Sequence, residues 1–267
     1  YKPIDPHMLT NKASVFFELQ RHKQAQAREL EERTAALRVN EMFMAVLSHD
    51  LRTPLMSITA AATVIKRQPD PDKVSAMADR VLSSSQRMSR MIEDLLDVTR
   101  IRQAGGLTLK LGAADMQAIV QRTLDEVQTG FPDRAIESTL QGNLAGVWDS
   151  ERLSQVVTNI VGNALHHGSA DRPVRVVADG TRPQVVTVSV SNGGTIAPDL
   201  LPHLFNPFRG GERAPGRNQG LGLGLYIAHQ IVRAHRGSIA VQSQDGTTCF
   251  TVELPRESPP TEKWSQT

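Results

Sequence analysis

The chain has 267 residues, enough for one large or two ordinary domains, and its 30 Lys and Arg against 28 Asp and Glu leave a formal charge of +2. Hydrophobic residues at 39% permit a packed core and exclude wholesale disorder, while aromatics at only 4% and the near-balanced charge argue against a nucleic-acid binder. The single cysteine, Cys249, excludes a disulfide framework or a Cys-rich metal site and fits a reducing compartment. No stretch approaches the roughly 18 consecutive apolar residues that suggest a membrane span. No signal peptide opens the chain, and its first residue is Tyr1 rather than Met. A piece of a longer cytoplasmic protein, with no membrane segment of its own, is therefore expected.

The first hundred residues predict helix. Residues 21–40 are mostly Gln, Arg, Glu, Ala and Lys, strong helix formers with little to bury. A seam at Leu30, Thr34, Leu37, Glu41, Met44, Ser48, Leu51, Leu55 and Ile58 alternates steps of four and three residues, the spacing of a coiled coil running into a bundle. Gln68-Pro69-Asp70-Pro71-Asp72 breaks it. A second stripe follows at Val74, Ala78, Val81, Ser85, Met88, Ile92 and Leu95. Two helices on a short Pro turn make a hairpin with too little to pack against, so pairing of two copies into a four-helix bundle is expected.

After Ala104-Gly105-Gly106 the texture changes to short strands and shorter helices. Strands are predicted at 107–111, 174–178 and 185–190, and a closing hairpin at 237–243 with 247–254. Helices are predicted at 115–128, 153–165 and about 222–234. Asp149 is expected to cap the middle helix and Trp148 to lie in the core. Strands and helices without regular βαβ alternation indicate a two-layer α/β sandwich. The tail from Ser258 is expected to be disordered.

His49 lies one residue beyond the seam and so points off the core, with Asp50 beside it and Thr53 one turn along the same face. Pro54 in a helix interior costs about 3 kcal/mol and marks a kink. The His-Asp pair alone is compatible with a surface histidine beside its charged neighbours. The whole string Ser48-His49-Asp50-Leu51-Arg52-Thr53-Pro54-Leu55, however, resembles the phosphoacceptor box of sensor histidine kinases at every position. That resemblance implies that His49 takes the γ-phosphate of ATP and that Asp50 orients or deprotonates its imidazole. It also implies that Thr53 assists the reverse reaction, water attack on a partner's phospho-aspartate. The chemistry is sound, because a neutral imidazole has one lone pair for attack and a carboxylate on its other N–H fixes the tautomer.

Four later blocks resemble the ATP-binding domain of the same kinases, which is related to the gyrase and mismatch-repair ATPases (the GHKL or Bergerat type). Asn159-Ile160-Val161-Gly162-Asn163 places two amides on one helix face, and neutral amide oxygens suit a Mg²⁺ that keeps water and phosphate ligands. The resemblance gives the metal to Asn163 and puts Asn159 where gyrase relatives carry a glutamate. An amide cannot deprotonate water, so ATP hydrolysis should be poor. His166, followed by His167, stands where the family commonly carries a Lys or Arg; a His there touches phosphate only weakly at neutral pH, and both equally fit partly exposed histidines at a helix end. Asn192-Gly193-Gly194, leaving a strand, departs from the family's Asp and Gly-x-Gly turn, and a neutral oxygen accepts from an adenine amine more weakly than a carboxylate. Leu204-Phe205-Asn206-Pro207-Phe208 resembles the segment before the ATP lid, which would be residues 209–219 with Arg209, Arg213 and Arg217. Gly220-Leu221-Gly222-Leu223-Gly224-Leu225 opens a helix whose free N–H groups can take a triphosphate, and Gly246-Thr247-Thr248 completes the succession.

At the amino end, Tyr1-Lys2-Pro3-Ile4-Asp5-Pro6 resembles the last turn of a response-regulator receiver domain. The expected organisation is a receiver end over 1–20, a coiled-coil linker over 21–40, a dimerisation and phosphoacceptor hairpin over 41–104, an ATP-binding domain over 105–256 and a tail over 257–267. The expected activity is ATP-dependent phosphorylation of His49 and transfer to an aspartate of a response regulator, with ATP and Mg²⁺ as cofactors and a homodimer as the working form. Two alternatives remain open at this point: a signalling scaffold with a decayed nucleotide pocket, and a gyrase-like ATPase that clamps a dimer.

Overall fold

The structure, a computed structural model, describes residues 19–24, 26, 50–67, 70–102, 107–208 and 221–257. The expected receiver end, most of the coiled-coil stretch, His49, the lid residues 209–219, Gly220 and the tail lie outside the described residues. The chain divides into two compact units, Tyr1–Arg52 and Thr53–Thr267. In the first, residues 19–24 and 26 are helical, as are residues 50–52.

The helix α1 has described residues 50–67, of which 53–67 belong to the second unit, and is helical across Pro54. The Pro-rich turn follows, and α2 runs from Pro71 to Arg102. Along α2, Ser84 and Met91 are buried, whereas Ser85 is exposed and Ile92 is 46% exposed. The predicted stripe is thus displaced by one residue at both places.

Residues 107–111, expected as a strand, are extended but unpaired, because the N–H of Lys110 goes to Asp149 Oδ2 at 2.8 Å instead of to a ladder. The strand lies one step on: β1, Gly112–Asp115, pairs antiparallel with β3, Ala145–Trp148. The helix α3, Met116–Gly130, is capped by Asp115, which accepts from Gln117 N. The main sheet has the order β2-β4-β5-β7-β6, with β2 (Ile136–Gly142), β4 (Val174–Gly180), β5 (Val185–Gly193), β6 (Ser238–Gln244) and β7 (Thr247–Pro255). β2 joins β4 in parallel and every other pairing is antiparallel. β2 and β3 were not predicted from the sequence: β2 is a polar edge strand and β3 only four residues long.

Alternation places Val174, Val176 and Ala178, then Val186, Val188 and Val190, then Phe250, Val252 and Leu254 in buried rows on one face of the sheet. The helices α4, Ser150–His167, and α5, Gly224–Ala234, supply the second layer through Leu153, Val157, Ile160, Ile227 and Ile231. Trp148 is 1% exposed and donates its Nε1–H to Pro255 O at 2.7 Å, fastening the small sheet to the large one.

One buried knot ties the start of α4 to the end of α5. Asp149 caps α4 by accepting from Arg152 N at 3.1 Å. Its own N–H donates to His235 Nε2 at 3.1 Å, and His235 Nδ1–H donates to Ile231 O at 2.9 Å. Both ring nitrogens are therefore committed to the neutral tautomer. Burial holds the His235 pKa below the ordinary 6.5, against smaller opposing effects of the Ile231 carbonyl and Asp149. On acidification the unfolded chain takes up this proton first, so the stability present above pH 6.5 is lost as pH falls below it. Urea titrations from pH 7.5 to 5 are expected to show an acid loss to which His235 contributes at most about 1.4 kcal/mol per pH unit. The slope should be shallower in His235→Gln.

Candidate functional site

The buried rows of the sheet end in polar residues at one edge. On β5 the inward series Val186, Val188, Val190 continues to Asn192, and on β7 the series Leu254, Val252, Phe250 continues to Thr248. Asn192 and Thr248 are direct cross-strand partners and are 7% and 3% exposed. Asn192 Nδ2–H donates to Gly193 O at 2.9 Å, which leaves Oδ1 as the acceptor for an incoming donor. Thr248 Oγ1 donates to Gly194 O at 2.9 Å and accepts from Ser243 Oγ at 2.8 Å, while Ser243 Oγ accepts from Ile196 N at 2.7 Å. Gly194 N donates to Gly246 O at 2.9 Å. This hydroxyl relay fixes the turn from Gly194 to Ile196.

The C-terminal end of α4 closes over Asn192. Gly168 ends that helix, and a Cβ there would lie 2.3 Å from Ala164 O and 3.0 Å from Asn192 Cβ, so only glycine fits without movement. His166 and His167 form the last turn before it. His166 meets Phe131 edge-on at 5.1 Å. Its pKa is lowered by desolvation first, then by His167, Arg90, Arg134 and Arg87, so it is neutral at pH 7. Earlier on α4, Asn159 and Asn163 are half-buried on one flank. Asn159 Nδ2–H donates to the carbonyl of Gly224 at 3.0 Å and so holds the first residue of α5.

The described glycine-rich segment leads into α5. Leu221 and Leu223 are buried and anchor it, while Gly222 adopts φ +68°, a left-handed conformation that favours glycine. No side chain caps the α5 N-terminus at Leu223. The first N–H groups of the helix, including that of the half-buried Leu225, are thus available to an anion. Before the lid, Phe205 stacks on His229 of α5 at 5.2 Å, and Phe208 adopts φ +64°, a strained value for a bulky residue.

Of the residues predicted for the site, Asn192, Gly194 and Thr248 share one hydrogen-bonded cluster. Asn159 and Gly224 are in contact, and Asn163 lies one turn further along α4. His166 and His167 lie next to Gly168 beside Asn192. Thr53 is exposed on α1 and Asp50 lies at its first described residue, while His49 and Gly220 are outside the described residues. Sequence reasoning overlooked Gly168 and Ser243. The first is signalled by a glycine directly after a helix-ending His pair, the second by its place opposite Thr248 in the last hairpin.

Residues 148–258 match the family described as histidine kinase-, DNA gyrase B- and HSP90-like ATPase, and residues 39–104 match the His Kinase A (phospho-acceptor) domain. The chain belongs to the histidine kinases. It is 32% identical over 219 residues to a bacteriophytochrome of Pseudomonas aeruginosa, covering 82% of this chain and 30% of that protein. It is 33% identical over 232 residues to the probable sensor histidine kinase TcrY of Mycobacterium tuberculosis, covering 86% of this chain and 48% of that one. The chain therefore spans half or less of the length of these relatives. Two solved kinases share the fold: AdeS of Acinetobacter baumannii, with a TM-score of 0.58 at 22% identity over 78% of this chain and 98% of that one, and ThkA in complex with the response regulator protein TrrA, with 0.63 at 20% identity over 88% and 67%. Among the described residues no helix is long and apolar enough to cross a membrane.

In this kinase the Gly168 contact has a measurable role. Gly168→Ala is expected to push the helix end off Asn192 and weaken binding of a fluorescent ATP analogue about tenfold or more, because the clash is with backbone and cannot be relieved by a rotamer change. Wild-type affinity in the variant would show that the helix end and Asn192 move independently.

Proposed function

We propose that this chain phosphorylates itself on His49 at the expense of ATP and passes the phosphoryl group to an aspartate of a response regulator. The observation that carries this reading is the union, in one chain, of a phosphoacceptor-type domain with a polar pocket at the edge of an ATPase-type sheet. His49 attacks the γ-phosphorus with one imidazole lone pair, the bond to the bridging oxygen breaks, and ADP leaves. Asp50 holds the proton on the other ring nitrogen. Asn192 Oδ1 accepts from the adenine amine, Gly194 and Thr248 shape that end of the pocket, and the open N–H groups of Gly224 and Leu225, next to Gly222, meet the phosphates.

The donor set also fits a divalent cation of the Mg²⁺ type. By the resemblance, the amide oxygen of Asn163 together with phosphate oxygens would hold such an ion, neutral amide oxygens suiting a Mg²⁺ that keeps water and phosphate ligands. The ion, when bound, neutralises charge on the triphosphate. Asn159, engaged with Gly224, is no base, which protects the phosphoryl donor from water. The cations around His166 and His167 supply positive charge near the same pocket. A homodimer is favoured by apolar side chains left exposed on the hairpin, among them Leu55 at 53%, Met56 at 64% and Leu82 at 60%. The response-regulator partner is supported by the ThkA complex with TrrA. We assign the hairpin to 41–104 and the ATP-binding domain to 105–256, in the cytoplasm, with Thr53 assisting a phosphatase step.

Incubation with γ-labelled ATP and Mg²⁺ should give acid-labile label on wild type and none on His49→Gln. Unlabelled wild type that is folded and dimeric would instead favour a scaffold, a reading to which the neutral acceptor at Asn192 lends weight. A charged acceptor makes hydrogen bonds roughly twice as strong, so Asn192→Asp should tighten ATP binding about tenfold in calorimetry.

A further inference from the structure

A second polar cluster lies away from the pocket, where α2 meets the ATP-binding domain. Asp97 of α2 is only 4% exposed. Both its oxygens accept from Arg152 Nη1 at 2.8 Å, and Oδ2 also accepts from Gln155 Nε2 at 2.7 Å. Arg152 and Gln155 are themselves joined at 2.9 Å. Arg100 stands 3.8 Å from Asp97 Oδ1 as an exposed second cation. One turn back, burial pushes the Asp94 carboxyl up to about 6, helped by Asp97 and Glu93 and opposed by Arg90. The α2 helix also packs against α5.

The position of this cluster has a geometric consequence. Arg152, in the first turn of α4, meets Asp97, while His166, in the last turn, feels Arg90 and Arg87, which lie earlier on α2. The two helices therefore run in opposite directions, and α4 points from Asp97 towards the hairpin turn. Asn159 and Asn163 follow Arg152 by about 10 and 16 Å at 1.5 Å per residue. Counting equal numbers of residues from the ends of the turn, at 67 and 71, sets Pro54 level with Ser84, and both are buried. The same count sets Thr53 level with Ser85, about 18 Å from Asp97 along α2. Asn163 of the ATP domain thus stands within about a turn of the level of Thr53, which belongs to the same box as His49, and Asn159 stands about 8 Å nearer Asp97 than that level.

We infer that Asp97, gripped by Arg152 and Gln155, is a positioning residue that sets the height of the ATP-binding domain along the hairpin, with Asn163 near the level of Thr53. The inference rests on the function proposed above. Asp97 acts by fixing α4, whose amides it holds in register. Phosphoryl transfer depends on such placement more than on covalent chemistry by the protein.

Asp97→Ala is expected to lower the maximal rate of His49 labelling about tenfold or more while ATP affinity and melting temperature stay at wild-type values. The charge-exchanged pair Asp97→Arg with Arg152→Asp should recover part of the rate. An unchanged rate, or a rate that falls only in step with ATP affinity, overturns the inference. A measurement without turnover separates this from the phosphoacceptor reading: nitroxides at exposed Ser83 and Gln242 in a Cys249→Ser background, read by electron–electron distance. Asp97→Ala should broaden the distribution, and a distribution as narrow as wild type overturns the inference whether or not phosphate moves.

Discussion

Everything at the pocket depends on one interruption of a packing pattern. Strands β4, β5 and β7 turn rows of Val, Phe and Leu towards α4 and α5, and dispersion and hydrophobic burial along those rows hold the two layers together. At one edge the rows run on for one more pair, Asn192 and Thr248, without becoming exposed. A buried polar pair needs partners, and the turn from Gly193 to Ile196 supplies them through the carboxamide and the two hydroxyls. The recognition edge is thus a continuation of the core in polar atoms, held by the same ladder.

The opposite end of the helical layer is secured differently. There the Asp149 carboxylate caps α4 and orders the Lys110 segment, while its backbone N–H fixes the ring of His235. This knot sits just before Arg152, so the residue that reaches across to α2 grows out of a fully constrained turn. Rigidity at that turn lets a single side chain orient a domain. Between the two ends, the bond from Asn159 to Gly224 keeps α4 and the start of α5 at a fixed separation.

Much of this was legible in the sequence, because strong patterns leave strong marks. The alternation over 185–190, the helix around Asn159 and Asn163, the cap at Asp149 and the buried Trp148 all appear where periodicity and capping chemistry put them. Less was legible where tertiary contacts decide. The segment 107–111 alternates like a strand, yet its N–H groups meet a carboxylate rather than a neighbour. Strand β2 is too polar to announce itself, since an edge position buries so little of it. On α2 the burial of Asp97 contradicts every compositional expectation for a charged helix residue, and only the arrival of Arg152 accounts for it. Asn192, Gly194 and Thr248 from the family blocks come together at the sheet edge, but neither the Gly168 contact nor the hydroxyl relay follows from any linear spacing.

The carboxamide at the pocket edge has an electrostatic corollary. Burying an ionised carboxylate at 7% exposure would demand a counter-cation or a substantial solvation penalty, and Asn192 demands neither. The apolar row can therefore run up to its recognition edge without a compensating basic side chain among the strands. Acid leaves the charge of that edge unchanged. Titration near the pocket falls to His166, whose pKa is lowered chiefly by desolvation, so the sheet supplies a constant dipole at its edge.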